Sequence, residues 1–291
     1  MAQGWIRWLT DFPDGDQFTM PSIGEATVRD YSENQPVQYD NLDNGEFTFI
    51  INEYVSSATY ITKKAKQDMY YMNQLVSSFV PKQSRAIMEK LETDILALAA
   101  AGASGGQTAS STNSINNAAH RFVGSGTSEA ISVADFARAL YALRKANLPD
   151  RNLIAIVDPS VEYTLNTLTN LVNMSNNPKW EGIVAESIAS GHRFVKNIYG
   201  FDVYVSNYLP KSQNETIGGL TTASGVANIF MSAVAADWMP FVGAWRQMPE
   251  VDSEYNKDLQ RDEYLTTARY GLKVYRPENL VVCLTDTDII S

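Results

Sequence analysis

DMYYMNQLVSSFVPKQSRAIMEKLETDILALAAA, residues 68–101, is the longest stretch of the chain that keeps one period, and its reading decides the fold. Met72, Leu75, Val76 and Phe79 precede Pro81 at helical spacing, and Ile87, Leu91, Ile95 and Leu98 follow it. A proline here either kinks one helix or opens a second. Read as one helix, the stretch would be about 50 Å long, close to the full diameter of a compact globule of this chain length. An elongated molecule follows. The apolar stripe of the second half is narrow, flanked by Arg85, Glu89, Lys90, Glu92 and Asp94, which suits a helix lying across a thin layer.

Upstream, the turn signal Asn44-Gly45 precedes an alternation of Phe47, Phe49 and Ile51, and a second extended run covers residues 54–61. The two runs read as a two-stranded projection. Such a ribbon is marginal alone in water, and its aromatic residues need a partner surface, on their own domain or elsewhere. Residues 1–45 are rich in Asp, Pro, Gly, Gln and Asn and keep no period, so they read as an irregular arm. An arm of this kind cannot order by itself; the body of the same chain or a neighbouring subunit must hold it.

Downstream, residues 102–130 form a loop of small residues, Asn, Ser and Gly. Ser132 and Asp135 then make a capping box, Val133, Phe136, Leu140 and Leu143 form one helical face, and Arg144 and Lys145 close the helix before Pro149. Residues 153–157 read as a buried strand, after which Asp158 and Pro159 serve as cap and first residue of a helix with Val161, Leu165, Leu168 and Val172 on one face. Strands follow at 194–198 and 201–206, with a break at Tyr199-Gly200, then at 226–231, at 263–275 with a break at Gly271, and at 280–284. The order is α+β with segregated elements.

Composition excludes several chemistries. The chain of 291 residues carries 23 Lys and Arg against 33 Asp and Glu, a net charge of −10, with no basic stripe of the kind that neutralises phosphates. Two histidines, His120 and His192, and one cysteine, Cys283, cannot build a Cys/His zinc site or an intrachain disulfide. No stretch reaches the ~20 apolar residues of a membrane helix, and no secretory signal opens the chain, so synthesis in a reducing cytoplasm is expected. Residues 102–106 match G-x-S-x-G, but a helix precedes them where the nucleophile elbow needs a strand, so they read as a Gly-rich helix terminus. Asp11, Asp14, Asp16, Asp286 and Asp288 do not follow a calcium-loop spacing and read as turn residues. Pairs such as Glu92 and Asp94, or Asp262 and Glu263, fall on solvent faces. No catalytic, cofactor or metal site is expected. Tyr54, Tyr60, Tyr70 and Tyr71 read as core or interface aromatics.

Taken in order, these elements resemble the major capsid protein of tailed double-stranded DNA bacteriophages, the Hong Kong 97-type fold. The residues that carry the resemblance are the arm through Pro36, the extended runs of 47–62, the long helix ending near Ala101, the strand 154–157 entering Asp158-Pro159, the run GFDVYVSN at 200–207 and the run YGLKVYRPE at 270–278. The resemblance implies an N-terminal arm at 1–38, an extended loop at 39–66, a peripheral domain with a spine helix at 67–128 and 252–278, and an axial domain at 129–251 and 279–291. It further implies a structural, non-enzymatic subunit that forms hexamers and pentamers with itself, in an icosahedral shell that encloses DNA without sequence-specific binding. A separate scaffolding protein, a portal and a decoration protein are the implied partners, with assembly in the host cytoplasm and a final place in the virion. Phe47, Phe49, Tyr54, Tyr60, Ile61 and Lys63 are the expected inter-subunit contacts, because they lie on or beside a ribbon with no core of its own. Some relatives form an isopeptide bond between a lysine and an asparagine; Lys63 and Lys64 lie near the extended loop, and covalent cross-linking stays open. Two rivals remain: an encapsulin-like compartment shell, which shares the fold but usually begins with a cargo-binding helix, and a virion binding module.

Overall fold

In the computed structural model, which describes residues 2–9, 17–23, 30, 33, 36, 44–69, 72–167, 197–212 and 215–286, the chain runs through Arg7–Leu9 (β1), Gln17–Ile23 (β2), Asn44–Ile50 (β3), Glu53–Thr62 (β4), Lys63–Asp68 (α1), Met72–Ala97 (α2), Arg121–Val123 (β5), Val133–Lys145 (α3), Leu153–Val157 (β6), Pro159–Thr167 (α4), Asn197–Ile198 (β7), Phe201–Val205 (β8), Lys211–Ser212 (β9), Glu215–Ile217 (β10), Leu220–Thr222 (β11), Gly225–Ser232 (β12), Phe241–Asn256 (β13), Arg261–Val274 (β14) and Val281–Asp286 (β15). One sheet of four strands has the order β1-β13-β14-β4, and one of seven has the order β5-β15-β12-β6-β8-β7 with β9 beside β12. Two hairpins, β2-β3 and β10-β11, stand apart from them. Helices and sheets are segregated, as the α+β reading requires.

The long helix α2 spans 26 residues, or about 39 Å, shorter than the expected 68–101. Pro81 lies inside it and does not end it. Asp68 belongs instead to the separate helix α1, which the sequence reading missed: the Thr62 hydroxyl accepts the Ala65 N–H at its start, and Met69 is extended at its end. At the far end the chain turns through residues 98–102, where Gly102 takes a left-handed φ of 81°, so the G-x-S-x-G match is indeed a helix terminus. Gln83, Ile87, Leu91 and Ile95 are buried at intervals of four, forming the narrow stripe that faces the sheets.

The seven-stranded sheet is covered on both faces, and its strands therefore read as continuous apolar runs: all of β6 and all of β12 are buried. One face packs Ala155, Val157, Phe230 and Cys283 against Phe136, Ala139 and Leu143 of α3 and Val161 and Leu165 of α4. The other face joins Ile154, Ile156, Ile229 and Val282 to Leu91 and Ile95 of α2 and to Phe241, Tyr270 and Val274 of the four-stranded sheet. A single core thus runs between the two sheets. Asp135 accepts the Ser132 N–H at 2.8 Å and the Ser125 N–H at 3.0 Å, and Asp158 accepts the Ser160 N–H at 2.9 Å, so both expected helix starts form. Leu168, Val172, residues 194–196 and His192 lie outside the described residues. Strands β7 and β8 are joined by Tyr199 and Gly200, whose φ values of 49° and 86° are those of a two-residue hairpin turn.

Three expectations are corrected by the pairing. The runs 47–51 and 54–61 do not pair with each other. Strand β3 pairs with β2, from Gln17 opposite Ile50 to Ile23 opposite Asn44, while β4 pairs along its whole length with β14. Loop length misled the reading, because only Ile51 and Asn52 separate β3 from β4 and these continue from one sheet to another instead of reversing. Secondly, β13 was not foreseen; its outer half has no clean alternation, and Pro249 sits between register shifts at Gln247 and Glu250. Residues 241–256 consequently belong to the four-stranded sheet, while β5, at 121–123, pairs with β15 in the seven-stranded one. Thirdly, Gly271 does not break β14. A Cβ there would stand 2.7 Å from the Ile50 carbonyl oxygen and 2.9 Å from the Ile51 Cα, so glycine permits the β3–β4 link to cross the strand closely.

The arm's opening residues are held by the body of the same chain. Ala2 and Ile6 are buried in the shared core, the Ala2 N–H donates to Glu92, Trp5 meets Tyr204 at 4.5 Å, and Trp8 stacks on Trp245 at 5.5 Å while β1 runs parallel to β13.

Candidate subunit interface

Strand β4 alternates strictly, because only one face of its sheet is covered. Val55 packs on the shared core, and Ser57 stands opposite Thr266, whose hydroxyl donates to Gln83 of α2 at 3.2 Å. Tyr54 and Tyr60 point the other way and are 65% and 60% exposed. On that open face they adjoin Arg269 and Glu263 across the ladder, and Leu265, 38% exposed, lies opposite Ala58 between them. Arg261 stacks its guanidinium on the Tyr60 ring at 4.5 Å and bonds Glu263 at 2.6 Å, which holds the Glu263 carboxyl below its ordinary range. Tyr60 is thus oriented by a cation on its own sheet.

The structure separates the six expected contact residues. Tyr54, Tyr60 and Lys63 are exposed; the Lys63 N–H donates to the Gln260 carbonyl at the end of the β13–β14 hairpin. Phe49 is fully buried with Ile51, Val242 and Ala244, and Ile61 is buried as well, so neither side chain can reach another subunit from this arrangement. Phe47 is half-buried, edge-on to Tyr275 at 5.1 Å and under the Lys273 ammonium at 4.6 Å. Lys273 also donates to the Thr48 carbonyl at 2.7 Å, so β3 is clasped to the body by its own aromatic residues. The ribbon's aromatics found their partner surface on their own chain at β3 and not at β4. Missed altogether were Met248, Val251 and Tyr255 on the outer half of β13, all exposed; by register Val251 and Tyr255 share the face of Thr266 and Asp262, opposite to that of the tyrosines. Tyr70, Tyr71, Asp11, Asp14, Asp16 and Asp288 lie outside the described residues; Asp286 is the last residue of β15, opposite Gly225, and not a turn residue, and its carboxylate accepts the Ala223 N–H.

Other polar groups serve the interior. Tyr270 donates to Asp94 at 2.6 Å, and burial followed by that carboxylate raises the phenol far above its ordinary value. Burial likewise raises the Cys283 thiol, which suits an inert core residue. Among the described residues, no group of three or more His, Cys, Asp or Glu is placed to hold a metal ion, and no helix is long and apolar enough to cross a membrane.

His120 is fully buried beside a cavity of about 250 Å³; its Nδ1 bonds the Ala118 carbonyl at 3.0 Å and its Nε2 has no hydrogen-bond partner among the described residues. Burial lowers its pKa below the ordinary 6.5, with the Ala118 and Glu278 backbones opposing the shift. The folded protein therefore binds this proton less readily than the unfolded chain. Its contribution to stability is complete above about pH 6.5 and is lost, by about 1.4 kcal/mol per pH unit, as pH falls toward the native pKa. Unfolding in urea at pH 7.5 and 5.0 is expected to show a loss on acidification that His120→Asn reduces; an equal loss in both proteins would remove His120 from the account.

A sequence profile of phage capsid proteins matches residues 45–283. No curated protein matches in sequence. Among solved structures, the capsid of cyanophage Pam1 is similar with a TM-score of 0.70 at 13% identity, covering 97% of this chain and 88% of that one. The mature capsid of bacteriophage PhiM1 is similar with a TM-score of 0.67 at 11% identity, covering 99% and 87%. The holo-SrpI encapsulin complex from Synechococcus elongatus PCC 7942 is similar with a TM-score of 0.58 at 10% identity, covering 97% and 85%. At these identities the structural likeness shows the fold.

Proposed function

This chain belongs to the phage capsid protein family, and on that premise we propose that it is the major capsid protein of a phage head, a structural subunit of the Hong Kong 97-type α+β fold that associates with itself through hexamers and pentamers to enclose double-stranded DNA. The profile match over residues 45–283 carries the reading. The acidic balance supports it, since a wall with net charge −10 does not bind the packed genome it surrounds. On this reading the subunit performs no catalytic step, resides in the virion after assembly in the host cytoplasm, and meets scaffolding, portal and decoration proteins as its other partners. The four-stranded sheet with α2 takes the peripheral place, the seven-stranded sheet with α3 and α4 the axial place, and the β2–β3 hairpin the place of the extended loop.

Light scattering and negative-stain microscopy of the purified protein, with and without a co-expressed scaffold, test the function. Closed particles or rings of five and six subunits are expected, and DNA-filled particles from infected cells separate a phage head from a compartment that encloses protein. A monomer under every condition would overturn the reading.

Tyr54, Tyr60 and Lys63 are the contact residues within this proposal, because Lys63 is exposed at the start of α1 and the two tyrosines are exposed on a ribbon face that no other element covers among the described residues. Serine at both Tyr54 and Tyr60 is expected to leave the melting temperature nearly unchanged and to lower particle yield by about tenfold, the loss of two aromatic anchors. Unchanged yield would remove the tyrosines from the interface.

A further inference from the structure

Beyond Ala244, β13 has no partner on its outer side among the described strands, since β1 pairs only with residues 242–244. On the opposite edge of the same ribbon, β4 is also the last strand. The two edges differ in charge. Asp252 and Glu254 stand on the open face of β13, across the ladder from Leu265 and Glu263, and neither has a cation partner among the described residues. Glu254 stands directly opposite Glu263, and of these two carboxylates only Glu263 is engaged by a cation of the same chain, Arg261 at 2.6 Å. At the β4 edge, Lys63 and Lys64 open α1, both exposed and both without a carboxylate partner among the described residues, whereas Lys66 is engaged by Asp262. Two strand spacings, about 10 Å, separate the acidic row from the β4 edge, and Tyr54, Tyr60 and Leu265 fill the face between.

Resting on the shell reading above, we propose that this ribbon is a head-to-tail joint between copies of the chain, in which Asp252 and Glu254 of one copy receive Lys63 and Lys64 of the next and the intervening aromatic face is covered. Opposite charges on opposite edges favour a heterologous contact, and such contacts close into rings when the rotation permits. Side chains and not main chain carry the joint, because Pro249 and the flanking register shifts interrupt the free ladder of β13. The remaining positive partner class, a basic segment of a different protein, is an outcome of the test.

The test is charge reversal with compensation. Asp252→Lys with Glu254→Lys, and separately Lys63→Glu with Lys64→Glu, are each expected to lower the yield of rings and shells by at least about tenfold at unchanged melting temperature. The fourfold variant, which swaps both edges within one chain, is expected to recover assembly to within about twofold of the native protein. Should a reversed variant melt early, Asp252→Asn with Glu254→Gln reads the same joint: native assembly weakens from about 0.05 to about 0.5 M NaCl, and the neutral variant loses that salt dependence. Either reversal assembling normally overturns the joint. A fourfold variant as defective as its parents also overturns it and assigns the charges to a different protein. If the native chain forms neither rings nor shells, the shell reading itself fails and the joint with it.

Discussion

Replacing Glu215 by alanine is expected to cost about 3–5 kcal/mol of stability, a large share of the ~5–15 kcal/mol that a folded domain commonly has. Glu215 on β10 and Arg121 on β5 meet in a two-pronged ion pair, with Nε and one terminal nitrogen each 2.7 Å from a carboxylate oxygen. Both are buried, Arg121 completely. The other terminal nitrogen of Arg121 donates to the Ala99 carbonyl and to the Gln107 carboxamide, and the Ser110 N–H donates to Glu215. One charge pair therefore ties the end of the long helix, the following loop and the β10–β11 hairpin to the sheet edge. Removing the carboxylate leaves a guanidinium charged in the interior without its counterion. Urea unfolding measures the loss, and the double variant Arg121→Met with Glu215→Leu is expected to lose less than the two single changes added together. A loss within about 1 kcal/mol for Glu215→Ala would mean that the pair is not held in this way.

Phe230→Ala is expected to cost about 3–5 kcal/mol by a different route, the cavity left in a close-packed core. Phe230 lies edge-on to Phe136 of α3 at 5.2 Å and to Phe201 of β8 at 5.3 Å, and all three rings are fully buried. The triad joins the helix layer to the middle of the seven-stranded sheet. Phe230→Leu preserves much of the volume and is expected to cost under about 1.5 kcal/mol. Thermal unfolding of the two variants separates volume from aromaticity: equal large losses would point to ring geometry as the main contribution, and equal small ones to a site that collapses freely.

Each member of the triad was legible before the structure, because each lies in an element whose period is set locally. Phe136 belongs to the capped face of α3, Phe201 to an alternating strand after a hairpin turn, and Phe230 to a continuous buried run. Arg121 was not legible. It opens a three-residue strand inside a stretch that reads as a loop of small polar residues, and its partner is 94 positions away on another three-residue strand, so no local pattern announces the pair. The candidate interface divides in the same way. The exposure of Tyr54 and Tyr60 follows from the alternation of β4, but the burial of Phe49 depends on Val242 and Ala244 from β13, a strand with no recognisable period.

By itself the sequence determined the periodic elements, among them α2, α3, β4, β6, β8, β12 and β14, their order and the caps of α3 and α4, and thereby the resemblance to the fold family, since propensity, capping and periodicity act over a few residues. The tertiary structure decided which strands pair. Strand β3 turned back to β2 and β4 turned to β14, and Gly271, which reads locally as a break, proved to be the clearance that lets the two sheets' connection cross. Strand pairing is settled by contacts between residues far apart in the chain, and the side that each aromatic residue faces follows from the pairing, so the division between core and contact surface emerges only when the sheets close.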